Sequence, residues 1–343
     1  MKILVTGVAG FIGAAVTERL LKEGKEVIGV DKITDYYSPE LKYDRLSLLG
    51  IDLTKAEYNK EYQSWKYKSF SFYRIDLANK ESTRDLFKSF NFDVVIHFAA
   101  QPGVRFSFTN PQKYIEDNIS SFINVVEGCR ENHTGHFIFA SSSSVYGLNK
   151  EIPFSEDQRV DYPISLYAAT KRSNELIAHA YAYNFHIPTT GLRFFSVYGP
   201  WGRPDMSPFL FIDGIINGKP IKVFNNGEMF RDFTYIDDVV ESVIRIIEKK
   251  PEGKNGEDED ITPYKIYNVG NHHPIKILDY IETIESELGK EAKKEMLPMQ
   301  LGEIYQTYAD TTAFTAATGF TPSTSLKEGI KRTIEWYKSY YKS

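Results

Sequence analysis

The sequence predicts an α/β protein built on a doubly wound parallel sheet, with a smaller α/β region at its C-terminal end. Three observations carry this. A short apolar run at the start passes at once into glycine-spaced residues and then a helical pattern. Strand-like and helix-like segments go on alternating to about residue 195. Beyond Phe195 the alternation loosens into a stretch rich in Pro, Gly and aromatic residues. Alternation of this kind implies parallel strands joined by crossover helices. The expected division is residues 1–195 for the main sheet and 196–343 for the second domain, with some chain crossing back.

The elements follow in order. Lys2 to Thr6 is nearly continuous apolar sequence, as a strand covered on both faces must be. Gly7, Gly10 and Gly13 come next, and Phe11 to Lys22 reads as a helix. Gly7 permits a tight turn, Gly10 lets backbone N–H groups approach a phosphate with no Cβ in the way, and Gly13 lets the helix close on the sheet. A second strand, Glu26 to Val30, delivers Asp31 eighteen residues past Gly13, where a carboxylate can accept hydrogen bonds from adenosine ribose hydroxyls. A Rossmann-type dinucleotide site accounts for this arrangement, with Phe11 and Ile12 at the helix end that meets the pyrophosphate. The acid at Asp31 favours NAD over NADP.

Asp35 to Lys68, rich in Tyr, Lys and Leu, reads as an exposed helical insertion. Phe70 to Arg74 reads as a strand leading to Asp76 and Leu77, Lys80 to Ser89 as a polar helix, and Asp93 to His97 as an apolar strand that ends just before Ala99. A helix over Pro111 to Glu131 and a strand over His136 to Ala140 bring in four serines, Ser141 to Ser144. The helix Ser165 to Phe185 then leads to the strand Thr189 to Arg193. Ligands of doubly wound sheets gather at the carboxyl ends of the strands, where Gly7, Asp31, Ala99 and Ser142 all fall. Later helices are expected near Pro208 to Asn217, Tyr235 to Lys249, Ile275 to Leu288 and Leu326 to Tyr341, with a solvated loop over Pro251 to Pro263.

Tyr167 and Lys171 stand four residues apart in the predicted helix, so both side chains leave the same face one turn apart. Such a pair is more often a packed ring and a solvated amine. The dinucleotide signature gives it weight, because an ammonium near a phenol favours phenolate and a serine hydroxyl can hold an alcohol being deprotonated. The expected catalytic group is Tyr167, Lys171 and Ser142.

Composition narrows the classes. The chain has 343 residues, a formal charge of -5 and 42% hydrophobic residues, enough for a sizeable core and unfavourable for a polyanion. No nucleic-acid partner is expected. The single Cys129 permits no intrachain disulfide, and seven scattered His offer no metal set. Met1 runs directly into the first strand and no long apolar run follows, which predicts a soluble cytoplasmic protein with no membrane partner.

The set Gly7-x-x-Gly10-x-x-Gly13, Asp76-Leu77, His97-Phe-Ala-Ala100, Ser142-x-x-Val-Tyr-Gly147 and Tyr167-x-x-x-Lys171 resembles the extended short-chain dehydrogenase/reductase superfamily over nearly the whole chain. More narrowly, Asp31 to Tyr37, Gln101-Pro-Gly-Val-Arg105, Leu192 to Met206 and Arg231 to Asp238 resemble the UDP-glucuronate 4-epimerases. The resemblance implies bound NAD and a redox-neutral 4-epimerisation between UDP-glucuronate and UDP-galacturonate through a 4-keto sugar, in the supply of polysaccharide precursors. A homodimer is implied as well.

The same resemblance assigns Gly7, Gly10, Phe11, Ile12, Gly13, Asp31, Asp76, Leu77, Ala99 and Lys171 to the cofactor, with Lys171 also lowering the pKa of Tyr167. The sugar falls to Ser142, Ser143, Ser144, Tyr167, Ser196 and Arg203, the last four of these serine and arginine groups around its carboxylate. The UDP end falls to Val223 in the segment Ile221 to Phe224, Arg231 and Asp310. An ion pair with Asp232 is the alternative for Arg231. Tyr146, His97 and Arg193 are expected to be structural. Dehydratases of the superfamily carry Thr-Asp-Glu where this chain has Ser142-Ser143-Ser144, and decarboxylases a glutamate at Ser144. Open alternatives are a 4-epimerase of a neutral or N-acetylated UDP-hexose, a UDP-glucuronate decarboxylase and a catalytically silent NAD sensor.

Overall fold

The computed structural model describes residues 1–253 and 262–342, so most of the loop expected over 251–263 lies outside the described residues. The first part of the chain runs β1 (Lys2–Thr6), α1 (Phe11–Lys22), β2 (Glu26–Asp31), α2 (Pro39–Leu48), β3 (Glu61–Gln63), β4 (Phe70–Arg74), α3 (Lys80–Ser89) and β5 (Val94–His97). It continues through α4 (Phe106–Thr109), α5 (Pro111–Tyr114), a π-helical segment (Ile115–Ser120), α6 (Ser121–Glu131), β6 (His136–Ser142), α7 (Leu166–Phe185) and β7 (Thr189–Phe194). Then come β8 (Ser196–Tyr198), α8 (Ser207–Ile216), β9 (Ile221–Phe224), β10 (Phe230–Tyr235), α9 (Ile236–Ile247), β11 (Tyr264–Val269), β12 (Pro274–Lys276), α10 (Ile277–Leu288), β13 (Lys294–Leu297), α11 (Thr312–Thr318) and α12 (Leu326–Tyr341).

The main sheet has the order β11-β7-β6-β5-β1-β2-β4-β3. Every pairing is parallel except the antiparallel edge of β3 on β4. Successive strands leave β1 on one side and β5 on the other, which opens a crevice at their carboxyl ends. Both faces are covered, and the period of two divides the side chains. Ile3, Val5, Val94 and Ile96 pack in one buried layer, while Leu4, Val95, Phe137 and Phe139 pack in the opposite one. β11 comes from the later part of the chain and pairs with β7. A three-stranded sheet, β12-β10-β8, and the parallel pair β13-β9 stand beside the main sheet.

The helices start where local chemistry allows. The Ser165 hydroxyl accepts the Ala168 N–H at 3.1 Å and begins α7, and Asn79 does the same for Ser82 at 2.9 Å in α3. Two expectations are corrected. Asp35 to Lys68 is not an exposed helical insertion: it holds the single helix α2 and the edge strand β3, and Leu41, Arg45, Leu46, Leu49 and Ile51 are buried against the rest of the protein. The helix over 111–131 is interrupted by its π-helical turn. There the Asn118 side chain accepts the Gln101 N–H at 2.7 Å and donates to the Gln101 carbonyl and to Thr170. Asn118 thereby fixes the loop that leaves β5. Among the described residues no helix is long and apolar enough to cross a membrane.

Candidate active site

A cleft of about 1230 Å³ opens at the carboxyl ends of β1, β2, β5 and β6 and continues between the main sheet and the loops around β8, β9 and β10. At one end lies the turn after β1. Gly7 has φ +73°, and a Cβ there would stand 2.7 Å from the Ala99 nitrogen, so no other residue fits the switch point between β1 and β5. Helix α1 starts at Gly10 with no side-chain cap, which leaves the N–H groups of its first turn to the cleft that Gly10, Phe11, Ile12 and Gly13 line. Asp31 is held by N–H groups of Ala9 (3.2 Å) and Ile33 (2.8 Å) and keeps carboxylate lone pairs for a ribose. Lys32 beside it is ion-paired to Asp117 (2.5 Å) and Asp76 (3.3 Å), so it is not a spare cation for a 2′-phosphate. Asp76, Leu77 and Ala99 line the same end. These residues fit a dinucleotide that carries a free ribose diol.

Arg45, wholly buried, joins this end to the next. Its guanidinium donates to the Ala9 carbonyl at 3.0 Å, the Tyr37 hydroxyl at 2.7 Å, the Trp201 carbonyl at 2.6 and 3.0 Å and the Gly202 carbonyl at 3.2 Å.

In mid-cleft, β6 ends in Ser142, whose hydroxyl accepts the Ser144 N–H at 3.2 Å and turns the chain sharply. A buried scaffold fixes that exit. Ser141 donates to Glu175 at 2.6 Å, Glu175 pairs with Arg193 through two bonds of 2.8 and 3.0 Å, and Arg193 donates to the Tyr146 hydroxyl at 3.0 Å. Tyr146 and Arg193 are therefore structural. So is His97, bonded to Thr6 at 2.8 Å and pushed down to about 3 by burial, hence neutral at pH 7.

Tyr167 and Lys171 both line the cleft next to Ser142. Lys171, expected to lower the Tyr167 pKa, is not among the groups that act on it here. Burial raises the Tyr167 phenol, and the facing Ser142 hydroxyl and the Arg203 charge pull it back. The Lys171 ammonium donates to the Ala140 carbonyl at 2.8 Å and is itself lowered to about 8 by burial, with Glu175 opposing.

Ser143, Ser144, Ser196 and Arg203 line the next stretch. Arg203, with its side chain 20% exposed, makes a fork of bonds to Asp205, Nε to Oδ1 at 3.0 Å and Nη2 to Oδ2 at 2.6 Å. The Tyr36 hydroxyl donates to the same Asp205 Oδ2 at 3.0 Å. At the far end Arg231 pairs with Glu303 at 2.8 Å, and Glu303 also meets Arg105 at 3.4 Å. Burial lowers the Arg231 guanidinium and Glu303 raises it. The alternative pair with Asp232 does not form, because neighbours on a strand face opposite ways. Asp232 is buried and accepts N–H groups of Asn271 (2.7 Å) and Ala309 (3.0 Å).

Two expected contacts lie elsewhere. Val223 is wholly buried in the core and does not line the cleft, while Ile221, Lys222 and Phe224 beside it do. Asp310 is not among the cleft-lining residues: its carboxylate accepts the Thr312 N–H at 2.9 Å. Glu303 is the acid that reaches the far end. Sequence reasoning also missed Tyr36, Arg105 and Asp205. All three stand in motifs already singled out, and Asp205, two residues past Arg203, was the legible signal of a local ion pair. Among the described residues no three His, Cys, Asp or Glu groups come together as a metal site.

Residues 3–270 match the model of the NAD dependent epimerase/dehydratase family. The chain is 46% identical to Protein CapI of Staphylococcus aureus over the full length of both. It is 42% identical to the probable UDP-glucuronate 4-epimerase of Rhizobium meliloti (strain 1021), covering 100% of this chain and 98% of that protein. Its fold is similar to the crystal structure of UDP-glucuronic acid 4-epimerase from Bacillus cereus in complex with UDP-glucuronic acid and NAD, with TM-score 0.86 and 35% identity over 99% of this chain and 100% of the other.

Proposed function

The chain belongs to the NAD dependent epimerase/dehydratase family, and from that premise we infer that it is an NAD-dependent 4-epimerase interconverting UDP-glucuronate and UDP-galacturonate. The observation that carries the reading is the continuity of one cleft. It runs from Gly7 and Asp31, past Ser142 and Tyr167, to Arg203 and then Arg231, so a redox centre, a carboxylate partner and a diphosphate partner lie along one path.

Bound NAD supplies reversible hydride acceptance at the sugar C4 and is needed only in catalytic amount. Tyr167 Oη takes the proton of the 4-hydroxyl while Ser142 Oγ holds the same oxygen, and Tyr167 returns the proton when the ketone is reduced on its other face. The 4-keto uronate is a β-keto acid. It loses carbon dioxide when the breaking bond aligns with the carbonyl π system, so hydroxyls of Ser143, Ser144 and Ser196 with the Arg203 guanidinium hold the carboxylate out of that alignment. Arg231 meets the diphosphate, and the segment Ile221 to Phe224 the uracil. Residues 1–195 form the cofactor domain and 196–343 mainly the UDP-sugar domain. The assembly is a homodimer, supported by exposed apolar residues Ile123 on α6 and Leu176 and Tyr183 on α7, and its compartment is the cytoplasm.

UDP-glucuronate and UDP-glucose, supplied separately, test the substrate. Proton NMR is expected to show UDP-glucuronate passing to its 4-epimer with no net NADH, at higher kcat/KM than UDP-glucose. Equal efficiency on both would move the assignment to a neutral UDP-hexose, and a UDP-pentose product to a decarboxylase. A second expectation concerns retention. Asp31→Ala is expected to lower the NAD content of the purified protein, measured after denaturation, with no gain of NADP, since Lys32 stays paired to Asp76 and Asp117.

A further inference from the structure

If Arg203 takes the substrate carboxylate, it does not wait for it as an unpaired charge. Asp205 already occupies one fork of the guanidinium through Nε and Nη2, at 3.0 and 2.6 Å. Asp205 is in turn held from the opposite wall by the Tyr36 hydroxyl at 3.0 Å. Tyr36 has little room to retreat: a Cβ on Gly103 would stand 2.5 Å from its hydroxyl, and its ring packs on Phe106 at 5.0 Å between centroids. All of these residues line the cleft.

We propose that Asp205 is a specificity-determining residue, a built-in carboxylate that competes with the sugar for Arg203 and so narrows the preference for acidic over neutral UDP-sugars. The inference rests on the reading that Arg203 binds the uronate carboxylate. A uronate must displace Asp205 from the guanidinium or share it, and either course leaves two carboxylates near one cation, which weakens acid binding. A neutral hexose lets the Arg203–Asp205 pair stand, so it escapes the large penalty of leaving a desolvated guanidinium unpaired. Both effects act in the same direction. Without Asp205 the acid would gain a free partner and the neutral sugar would strand a charge.

The test is Asp205→Asn, which keeps the shape and a hydrogen-bond acceptor for Tyr36 but removes the charge. KM for UDP-glucuronate is expected to fall while the competitive inhibition constant of UDP-glucose against it rises, so that their ratio shifts by roughly tenfold or more toward the acid. Asp205→Ala should act likewise, and Asp205→Glu should restore the wild-type ratio. On an Arg203→Ala background Asp205→Asn should no longer raise the inhibition constant of UDP-glucose, because no guanidinium is left to strand. A ratio that stays constant or moves toward the neutral sugar in Asp205→Asn, with Arg203→Ala narrowing it as expected, overturns the role of Asp205 alone. If Arg203→Ala itself leaves the preference for the acid intact, the carboxylate assignment of Arg203 fails, and the proposal with it.

Discussion

Tyr167→Phe is expected to lower turnover roughly a hundredfold to ten-thousandfold while the fold and the NAD content stay as they are. The substitution keeps the ring, which packs edge-on against Tyr114 at 6.2 Å between centroids, and removes only the hydroxyl facing Ser142. What is lost, on the proposed mechanism, is the group that takes the C4 proton. Burial makes that a demanding task, because it raises the phenol pKa above its ordinary value, and Ser142 and Arg203 are the groups that pull it down. Steady-state kinetics beside a thermal melt separates the two effects. Near wild-type turnover in a folded Tyr167→Phe protein would remove Tyr167 from the chemistry.

The second large effect concerns stability. Arg193→Met is expected to destabilise the protein by about 3 to 5 kcal/mol, read as a lower urea midpoint, because it leaves the Glu175 carboxylate buried without its main partner. The Glu175 side chain has no exposure, and Arg193 holds it through two bonds. Arg172 at 3.1 Å offers only partial relief. Adding Glu175→Leu should recover much of the loss, since two apolar groups strand no charge. Because Ser141 donates to Glu175, the single variant should also disturb the exit of β6 at Ser142 and lower turnover, although Arg193 is not expected to touch the sugar.

The main sheet and the first half of the site were legible because each rests on local rules. A buried parallel strand must be apolar throughout, a dinucleotide turn needs glycine at set offsets, and Tyr167 and Lys171 share a helix face by periodicity alone. The short strands β8, β10 and β12 were not legible, since three to six residues in an aromatic-rich stretch carry no distinctive period. Nor was the packing of Asp35 to Lys68, whose Tyr and Lys look like surface residues until Arg45 is seen to bond across the fold to Trp201 and Gly202. Charge partners were the hardest to read. Glu303 reaches Arg231 across more than seventy residues, and nothing in either local sequence announces the pair. Asp310, assigned to the uridine end, accepts the Thr312 N–H just ahead of α11 and is not among the cleft-lining residues, an orientation that chain position alone does not announce.

The buried guanidinium of Arg45 has an evolutionary consequence. Three of its four partners are main-chain carbonyls, on the glycine turn at Ala9 and on the segment Trp201–Gly202 just ahead of Arg203. Carbonyls are common to every residue type, so these bonds constrain the path of the backbone and not the side chains; Gly202 is held to glycine separately, by Phe209, which would stand 2.3 Å from a Cβ there. Grafting a foreign sugar-binding loop at 199–206 to retarget the cleft should therefore succeed only when the donor loop presents carbonyls at the same two positions. A graft that fails this condition should loosen the cofactor turn as well, some distance from any residue that was exchanged.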